Sequence, residues 1–384
     1  MDGEPDVDGE PDLGERPASD EPPAPAPGPA PGPATASLTY SAAGVDIDAA
    51  DAAVDAMRDL VASTADRPGV IGSIGGFGGM FEVPAGYRRP VLVSSTDGVG
   101  TKMAVAMATG RFDTVGIDLV AMCVDDLVCC GARPLFFLDY QLLGQVDPKQ
   151  VTALMTGIAD GCRQAGAAIV GGELAEHPGL LAPGEVDVAG FAVGIVEHDR
   201  IIDGPARTAP GDILIGLPSP GLRSNGYSLA RRALLDHDRR PLDGPAWAGA
   251  GDWTLADELL RPSVIYTPSV LALIDAGIEV HAVAHITGGG LPGNVPRVLG
   301  DGVDALFDRA SWPVPRIFEE IRQAGNVADE EMLRVFNLGL GMVIAVPLSV
   351  VDQALACLAA TGPSPLVVGT LVDGRRGVRF VSEG

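Results

Sequence analysis

Residues 94–102 read SSTDGVGTK, and they continue the apolar run PVLVS of residues 90–94. The pattern predicts a buried strand that ends in one acidic residue, two glycines and Lys102, which is one of two lysines in the chain. A helix-like segment with Asp118, Asp125 and Asp126 follows shortly afterwards. Carboxylates, bare backbone amides and an isolated cation are together what a Mg-nucleotide site needs.

Composition limits the class of protein. The chain has 384 residues, of which 46% are hydrophobic and 20% are charged, and its formal net charge is −25. These values suit one large domain or two medium domains with sizeable cores. Nucleic acid and anionic membrane surfaces would repel so acidic a chain, so neither is expected as a partner. An anionic small-molecule substrate remains compatible with a locally basic island.

The sequence carries no membrane or secretion signal that we can identify. No basic segment followed by an apolar one opens the chain, and no run of 18 apolar residues occurs. We therefore expect a cytoplasmic protein. The five cysteines show neither CxxC nor His/Cys ligand spacing, so we do not expect a zinc site.

The pattern along the chain predicts a tail and two α+β units. Residues 1–36 hold nine acidic residues and a Pro/Ala/Gly-rich tract, which predicts a disordered tail. Helices and strands then mix without strict βαβ alternation, which favours an α+β fold over one doubly wound sheet. We place the two units at residues 37–204 and 205–384. Residues 46–63 and residues 256–276 are each predicted to form one helix.

The acidic residues after the opening strand have a helical spacing. Asp118 and Asp125 are seven residues apart, which on a helix is two turns and about 10 Å at nearly the same azimuth. Asp97, at the strand end, could meet one or both of them. Converging carboxylates bind hard divalent cations such as Mg²⁺. The pattern alone does not separate this arrangement from a solvated acidic helix face.

Glycines form four clusters, GGFGG, DGVG, VGGE and ITGGG, and three of these follow apparent strands. Glycine lets phosphate oxygens approach bare N–H groups, and a following helix N-terminus adds partial positive charge. None of the clusters is a Walker A motif or a convincing dinucleotide fingerprint. One cluster is commonly only a turn, but four together predict a phosphate-rich ligand.

The segment SPGLRSNG precedes a predicted helix in the second unit. Its polar residues Ser219, Ser224 and Asn225 could cap that helix, and Arg223 could pair with a phosphate. His285 lies in an apolar strand before the fourth glycine cluster. A histidine in that position is either a satisfied core residue or part of a site, and the sequence leaves both interpretations open.

Nine motifs in order resemble one family. They are YSAAGVDIDA, GGFGGMFEVP, STDGVGTK, GIDLVAMCVDDL, GARPLFFLDY, GGELAEHPG, SNGYSLARR, HITGGG and FNLGLGM, and they run collinearly from about residue 38 to residue 380. The chain resembles the phosphoribosylformylglycinamidine cyclo-ligase (aminoimidazole ribonucleotide synthetase) family. Each motif alone is modest, but the ordered set is specific.

The resemblance implies a reaction, cofactors and an assembly. ATP would phosphorylate the formamide oxygen of formylglycinamidine ribonucleotide, and the amidine nitrogen would close the imidazole ring. ADP, phosphate and aminoimidazole ribonucleotide would be released, in de novo purine biosynthesis. The resemblance also implies Mg²⁺ and a homodimer. The N-terminal mixed sheet would form a barrel across that dimer, beside a C-terminal α/β sandwich-like domain.

The resemblance also implies roles for individual residues. Catalytic candidates are Asp97, Lys102, Asp125, Arg223 and His285. Metal candidates are Asp97, Asp118 and Asp125. Candidates for binding ATP and its phosphates are Gly75, Gly76, Gly78, Gly79, Gly98, Gly100, Thr101, Gly171, Gly172 and Glu173. Candidates for substrate contacts are Ser224, Asn225, Thr287, Gly288 and Gly289.

The chain departs from the family pattern at several positions. Ser41 and Ala42 replace a usual Lys-Asp pair, and Leu174 replaces a usual threonine. Arg223 stands at a usual histidine, and Val264 at a usual arginine. Two alternatives to the cyclo-ligase reaction therefore stay open. One is a divergent paralogue that acts on a related amide, and the other is a catalytically weakened nucleotide-binding protein.

Overall fold

A computed structural model describes residues 39–40, 43–362 and 364–381. The predicted tail at residues 1–36 and the departures at Ser41 and Ala42 lie outside these residues. No helix in the described part of the chain is long and apolar enough to cross a membrane.

The first half of the described chain mixes helices and strands. In chain order its elements are α1 (Ile47–Ala62), β1 (Val70–Ile71), β2 (Met80–Phe81), β3 (Pro90–Gly98), α2 (Met103–Thr109), α3 (Val115–Cys129), β4 (Arg133–Leu143), α4 (Pro148–Ala165), β5 (Ala168–Glu176) and β6 (Val186–Glu197). Short 3₁₀ turns occupy Gly100–Lys102 and His198–Arg200. Helix α1 confirms the prediction for residues 46–63, and the Asp46 side chain caps it by accepting from the Ala49 N–H.

The second half contains shorter helices. Its elements are α5 (Gly204–Arg207), β7 (Ile213–Pro218), α6 (Tyr227–Arg231), α7 (Leu255–Leu259), α8 (Thr267–Asp275), β8 (Ala282–His285), α9 (Gly290–Asn294), β9 (Val303–Phe307), α10 (Arg316–Gly325), α11 (Asp329–Val335), β10 (Leu340–Val346), α12 (Val351–Ala359), β11 (Leu366–Asp373) and β12 (Val378–Phe380). A π-helical turn, Arg232–His237, extends α6, and 3₁₀ turns occupy Val295–Val298, Arg309–Ser311 and Leu348–Val350.

The single helix predicted at residues 256–276 is wrong. Helices α7 and α8 are separated by residues 260–266, which are not helical. Pro262 lies within this break and drives Arg261 away from helical angles, whereas Pro268 lies in the first turn of α8, where proline is tolerated. The freed backbone N–H groups of this segment bind carboxylates of α3, as described below.

Each half builds its own main sheet. The first sheet has the order β3-β6-β4-β5, and only its β4–β5 pair is parallel. The second has the order β12-β9-β11-β7-β10-β8, and only its β12–β9 pair is parallel. Helices and strands mix in both halves without strict βαβ alternation, which confirms the predicted α+β class, and the boundary between residues 204 and 205 stays a prediction.

Helix α3 is the central element of the molecule. It packs on α4, on β3 and β6 of the first sheet, and on β8 and α8 of the second half. Close packing with α4 requires Gly116, because a Cβ there would lie 2.4 Å from the carbonyl oxygen of Leu154. Most of α3 is buried, and so are its carboxylates Asp118 and Asp125. The helix therefore carries acidic groups into the junction between the two halves, where each needs a partner.

Candidate active site

Asp118 is held by a buried cation. Its Oδ2 lies 2.5 Å from Lys102 Nζ, and both side chains are completely buried. Its Oδ1 accepts from the N–H and the hydroxyl of Ser263 at 2.8 and 2.5 Å. Burial raises the pKa of Asp118 and lowers that of Lys102, and their mutual attraction opposes both shifts.

Lys102 contacts three separate segments of the chain. Besides Asp118, its Nζ donates to the carbonyl oxygens of Arg261, at 2.8 Å, and Arg223, at 3.2 Å. The ammonium also lies 5.6 Å from the centre of the Tyr227 ring. The geometry therefore supports a structural role for Lys102 and Asp118, instead of the predicted catalytic role of Lys102 and metal contact of Asp118.

Both carboxylate oxygens of Asp125 also accept hydrogen bonds from the protein. Its Oδ2 accepts from Arg223 Nη2 at 3.0 Å. Its Oδ1 accepts from the N–H groups of Tyr266 and Thr267 and from the Thr267 hydroxyl, at 2.9 to 3.1 Å. Four donors from the chain itself surround this buried carboxylate, so it does not fit the predicted role of a metal ligand.

Arg223 is buried in a left-handed backbone conformation with φ of 63°. Its Nη1 donates to the Val264 carbonyl oxygen at 2.7 Å, and its guanidinium lies 4.8 Å from the centre of the Tyr266 ring. The two departures at Arg223 and Val264 are thus in direct contact. Because this guanidinium faces protein groups, it does not supply the predicted phosphate contact in this structure.

His285 connects the buried Arg223 to a cleft. Its Nε2 lies 3.0 Å from Arg223 Nη2, and its Nδ1 lies 2.9 Å from Asp126 Oδ1. Ser95 donates its hydroxyl to Asp126 Oδ2 at 3.1 Å. The Asp126 side chain is 47% exposed and lines a cleft of about 400 Å³ at the junction of the two halves.

The charge of Asp126 is stabilised at this cleft. Partial burial opposes its ionisation, but hydrogen bonds from His285 and Ser95 outweigh that effect and lower its pKa. Arg297, which also lines the cleft, contributes in the same direction. The sequence singled out Asp126 only as a neighbour of Asp125, and Asn294 and Arg297 of this cleft were missed.

Asp97 is the exposed member of the predicted metal set. It lies at the end of β3, where its Oδ1 accepts from the Gly98 N–H at 2.8 Å. Partial burial raises its pKa against the effect of that hydrogen bond, and the charge of Asp126 adds to the rise. Across residues 39–40, 43–362 and 364–381, no group of three or more His, Cys, Asp or Glu residues is arranged to hold a metal ion.

Two of the predicted glycine clusters meet in one cavity of about 700 Å³. Gly75, Gly76, Gly78 and Gly79 line one side, and Gly171, Gly172, Glu173 and Leu174 line another. Gly79 has to be glycine, because a Cβ there would lie 2.5 Å from the Val170 carbonyl oxygen. Helix α1 contributes apolar side chains, including Val54 and Met57.

Sequence reasoning missed two polar residues of this cavity, Asp139 and Gln141. Gln141 Nε2 donates to Asp139 Oδ2 at 2.6 Å, and both side chains are buried. Burial without a cation raises the pKa of Asp139 to about 6. The signal was available, because two polar residues at i and i+2 of the apolar run FFLDYQLL lie on one face of a strand.

The remaining predicted residues are spread over two loops and a helix start. The Thr101 hydroxyl lies 3.1 Å from the Ser228 hydroxyl, beside Gly98 and Gly100. The Ser224 hydroxyl is buried and has no hydrogen-bond partner. A Cβ at Gly288 would lie 3.4 Å from Asn225 Oδ1, so those two loops are adjacent.

The last of these residues lie around α9. The Thr287 hydroxyl donates to Asn294 Oδ1 at 3.3 Å, and Gly289, with φ of 101°, precedes α9.

Comparison with known proteins connects this architecture to named families. Residues 84–196 match the model "AIR synthase related protein, N-terminal domain", and residues 209–382 match the corresponding C-terminal domain. A phosphoribosylformylglycinamidine cyclo-ligase of Anaeromyxobacter dehalogenans (strain 2CP-C) is 54% identical over 342 residues, which are 89% of this chain and 97% of that protein. The protein of the same name from Myxococcus xanthus (strain DK1622) is 52% identical over 338 residues, which are 88% of this chain and 96% of that protein.

Solved structures show the same fold at low identity. A thiamine-monophosphate kinase from Stenotrophomonas maltophilia K279a aligns with a TM-score of 0.62 and 21% identity, over 85% of this chain and 95% of that one. A hydrogenase maturation protein HypE in complex with ATP aligns with a TM-score of 0.60 and 17% identity, over 85% and 90%. The two matched domains and the identity along nearly the whole length of the relatives show that this chain belongs to the phosphoribosylformylglycinamidine cyclo-ligase family.

Proposed function

We propose that this protein catalyses the ATP-dependent cyclisation of formylglycinamidine ribonucleotide to aminoimidazole ribonucleotide, with release of ADP and phosphate. The observation that carries the proposal is the 54% identity over 97% of a relative that bears the cyclo-ligase name. The reaction belongs to de novo purine biosynthesis, and we place it in the cytoplasm.

The glycine-lined cavity is the proposed site for ATP. Gly75, Gly76, Gly78 and Gly79 have backbone N–H groups without side chains, as phosphate binding needs. Gly171, Gly172 and Glu173 close the opposite side, and apolar residues of α1 give a surface for the base. ATP would supply the phosphoryl group that turns the formamide oxygen into a leaving group. The chain would contribute binding and orientation, which provide much of the rate in an intramolecular closure.

Mg²⁺ would neutralise charge on the transferring phosphoryl group. Of the three predicted metal ligands, only Asp97 fits the role, because protein donors occupy the buried carboxylates of Asp118 and Asp125. One carboxylate is compatible with Mg²⁺, which takes most of its ligands from phosphate oxygens and water. We therefore propose Asp97 as the carboxylate that holds the metal–nucleotide complex.

The cleft at the junction is the proposed site for the ribonucleotide substrate. Asp126 presents a partly exposed carboxylate there, and Arg297 presents a cation. Ser224, Asn225, Thr287, Gly288 and Gly289 form the neighbouring loops. The unpartnered hydroxyl of Ser224 is available to a ligand that reaches it.

The uncovered face of the first sheet supports our proposal of a homodimer. Leu92, Tyr140 and Phe191 are 59%, 38% and 38% exposed. They share one face, because Phe191 is opposite Thr96 and Leu138, which lie an even number of residues from Leu92 and Tyr140. We propose that two copies pair these faces into a barrel. Sedimentation should then give twice the chain mass, and Phe191→Glu should give a monomer; a wild-type monomer at micromolar concentration would contradict the proposal.

The activity test uses purified protein with ATP, Mg²⁺ and formylglycinamidine ribonucleotide. ADP should appear only when the ribonucleotide is present, and diazotisation of the product amine should give colour in proportion. Turnover of another formamide, with this substrate ignored, would identify a divergent paralogue. Nucleotide binding without any turnover would identify a catalytically weakened protein.

A further inference from the structure

Four charged or titratable groups form a continuous chain from the interior to the cleft. Asp125 Oδ2 accepts from Arg223 Nη2 at 3.0 Å, and the same Nη2 lies 3.0 Å from His285 Nε2. On its other side, His285 Nδ1 lies 2.9 Å from Asp126 Oδ1. Asp125, Arg223 and His285 are buried, whereas Asp126 is partly exposed.

The donors and acceptors of this chain allow one arrangement of protons. A guanidinium carries only donors, so His285 Nε2 has to be the acceptor of the Arg223 contact and carries no proton. The ring proton therefore lies on Nδ1 and is donated to Asp126. We infer that Arg223 is a positioning residue that holds His285 in its neutral, Nδ1-protonated tautomer, so that the ring fixes the carboxylate of Asp126 at the cleft.

Arg223 is itself held on several sides. Val264 accepts from its Nη1 at 2.7 Å, and the Tyr266 ring covers its guanidinium. Asp125, which anchors its Nη2, is fixed in turn by the backbone N–H groups of Tyr266 and Thr267. A guanidinium with these contacts cannot turn away from His285 without leaving a buried carboxylate unpaired.

The carboxylate of Asp126 only accepts, so it requires the proton on Nδ1 but does not exclude a second proton on Nε2. The other groups around the pair do not exclude that second proton either. Ser95 donates to the second oxygen of Asp126 and does not contact the ring. Asp97 acts through its charge on Asp126 and on His285, Arg297 acts through its charge on Asp126, and the Cys129 thiol interacts with the backbone of His285. Arg223 is thus the group that decides the proton position at Nε2.

The arrangement changes the role expected for His285. Both ring nitrogens are engaged by protein groups, so the imidazole does not offer a proton to a ligand in the cleft. Asp126, with each oxygen accepting one hydrogen bond from the protein, keeps further lone pairs for a donor on the ligand. The inference bears on the proposed reaction, but it does not rest on it, because proton positions can be measured without turnover.

The test is ¹⁵N NMR of the histidine rings in the full-length protein at neutral pH. The chain has five histidines, and His285→Gln identifies one set of ring signals by its disappearance. In the wild type, Nε2 of His285 should resonate as an unprotonated nitrogen and Nδ1 as a protonated one. Arg223→Met removes the guanidinium, and Asp125→Asn/Arg223→Met removes it without leaving a buried unpaired carboxylate, so this double variant is the one more certain to fold.

The folded double variant should show a protonated Nε2 as part of an imidazolium, because the carboxylate of Asp126 still requires the proton on Nδ1. Arg297→Met is the matched control, since it removes a nearby cation that does not touch the ring, and it should leave the His285 signals in place. An Nε2 that stays unprotonated in the double variant would overturn the inference. So would a protonated Nε2 in the wild type, or an equal change in Arg297→Met.

Discussion

Buried carboxylates have countercharges at the junction between the two halves, but not in the glycine-lined cavity. At the junction, Asp118 faces Lys102 and Asp125 faces Arg223, so each buried negative charge has a buried cation. In the cavity, Asp139 has only the amide of Gln141, and burial raises its pKa to about 6. Burial of a carboxylate therefore does not by itself identify a functional group. At the junction the buried carboxylates form ion pairs inside the protein, whereas in the cavity the buried carboxyl group has no countercharge.

Lys102→Met should have the largest effect on stability, because it removes the cation of the buried ion pair between Lys102 and Asp118 at the junction. Removal of one partner of a buried ion pair costs about 3–5 kcal/mol, since the remaining charge is unsolvated. Urea unfolding should therefore show a loss of that size in the free energy of unfolding. Lys149→Met is the matched control: Lys149 is exposed, and its removal should cost less than about 0.5 kcal/mol.

Lys102→Met/Asp118→Asn should recover most of the loss, because no unpaired charge remains at the junction. Equal stability of Lys102→Met and the wild type would show that Lys102 and Asp118 do not form a stabilising buried ion pair.

Asp97→Asn separates the exposed carboxylate from the buried ones. If Asp97 holds the metal–nucleotide complex, its loss should lower the Mg-dependent rate by roughly 100-fold, which corresponds to the several kcal/mol that a metal contributes to such a transition state. The melting temperature of the Asp97→Asn variant should stay close to that of the wild type. Asp352→Asn, an exposed change on α12, is the control and should be fully active. Full activity in Asp97→Asn would remove the metal assignment.

Asp139→Asn tests the cavity through the pH dependence of stability. The folded-state pKa of Asp139, about 6, lies above its ordinary value of 3.8, so the acid form is the one that folding favours. Its contribution to stability is fully present below pH 4 and is lost as the pH rises toward 6. The total loss corresponds to at most about 3 kcal/mol.

The asparagine variant should therefore be more stable than the wild type at pH 7.5, and the advantage should vanish near pH 4. Unfolding curves of both proteins at several pH values provide the measurement. A difference between the two that does not depend on pH would show that Asp139 has the same pKa in the folded and unfolded chain.

Much of the fold was readable because its signals are local. The apolar spacing of residues 46–63 predicted α1, and the apolar run before SSTDGVGTK predicted β3. The break at residues 260–266 was not predicted, although Pro262 lies within it and Pro268 lies near the start of the next helix. Apolar residues with helical spacing on both sides concealed it, and the partners that stabilise the open backbone are on α3, more than a hundred positions away.

The candidate site divides in the same way. The spacing of GGFGG and VGGE gave the phosphate-type loops, and the structure brings both to one cavity. Spacing placed Asp118 and Asp125 at nearly the same azimuth of one helix, but it could not show that this side of the helix is buried and that Asp126 is exposed. Nor could it show that Arg223 and Val264, two departures from the family pattern, are in contact.

By itself the sequence determined the family, the α+β class and the residue types of the site, since these depend on short motifs and their order. The tertiary structure alone decided which carboxylates are available to a ligand. A buried charge takes its partner from wherever the chain brings one, here Arg223 for Asp125 and Ser263 for Asp118, at separations of 98 and 145 residues. Because a buried charge needs such partners, Asp118 and Asp125 lie in the interior, whereas Asp126 and Asp97 stay exposed; no local pattern encodes this distribution.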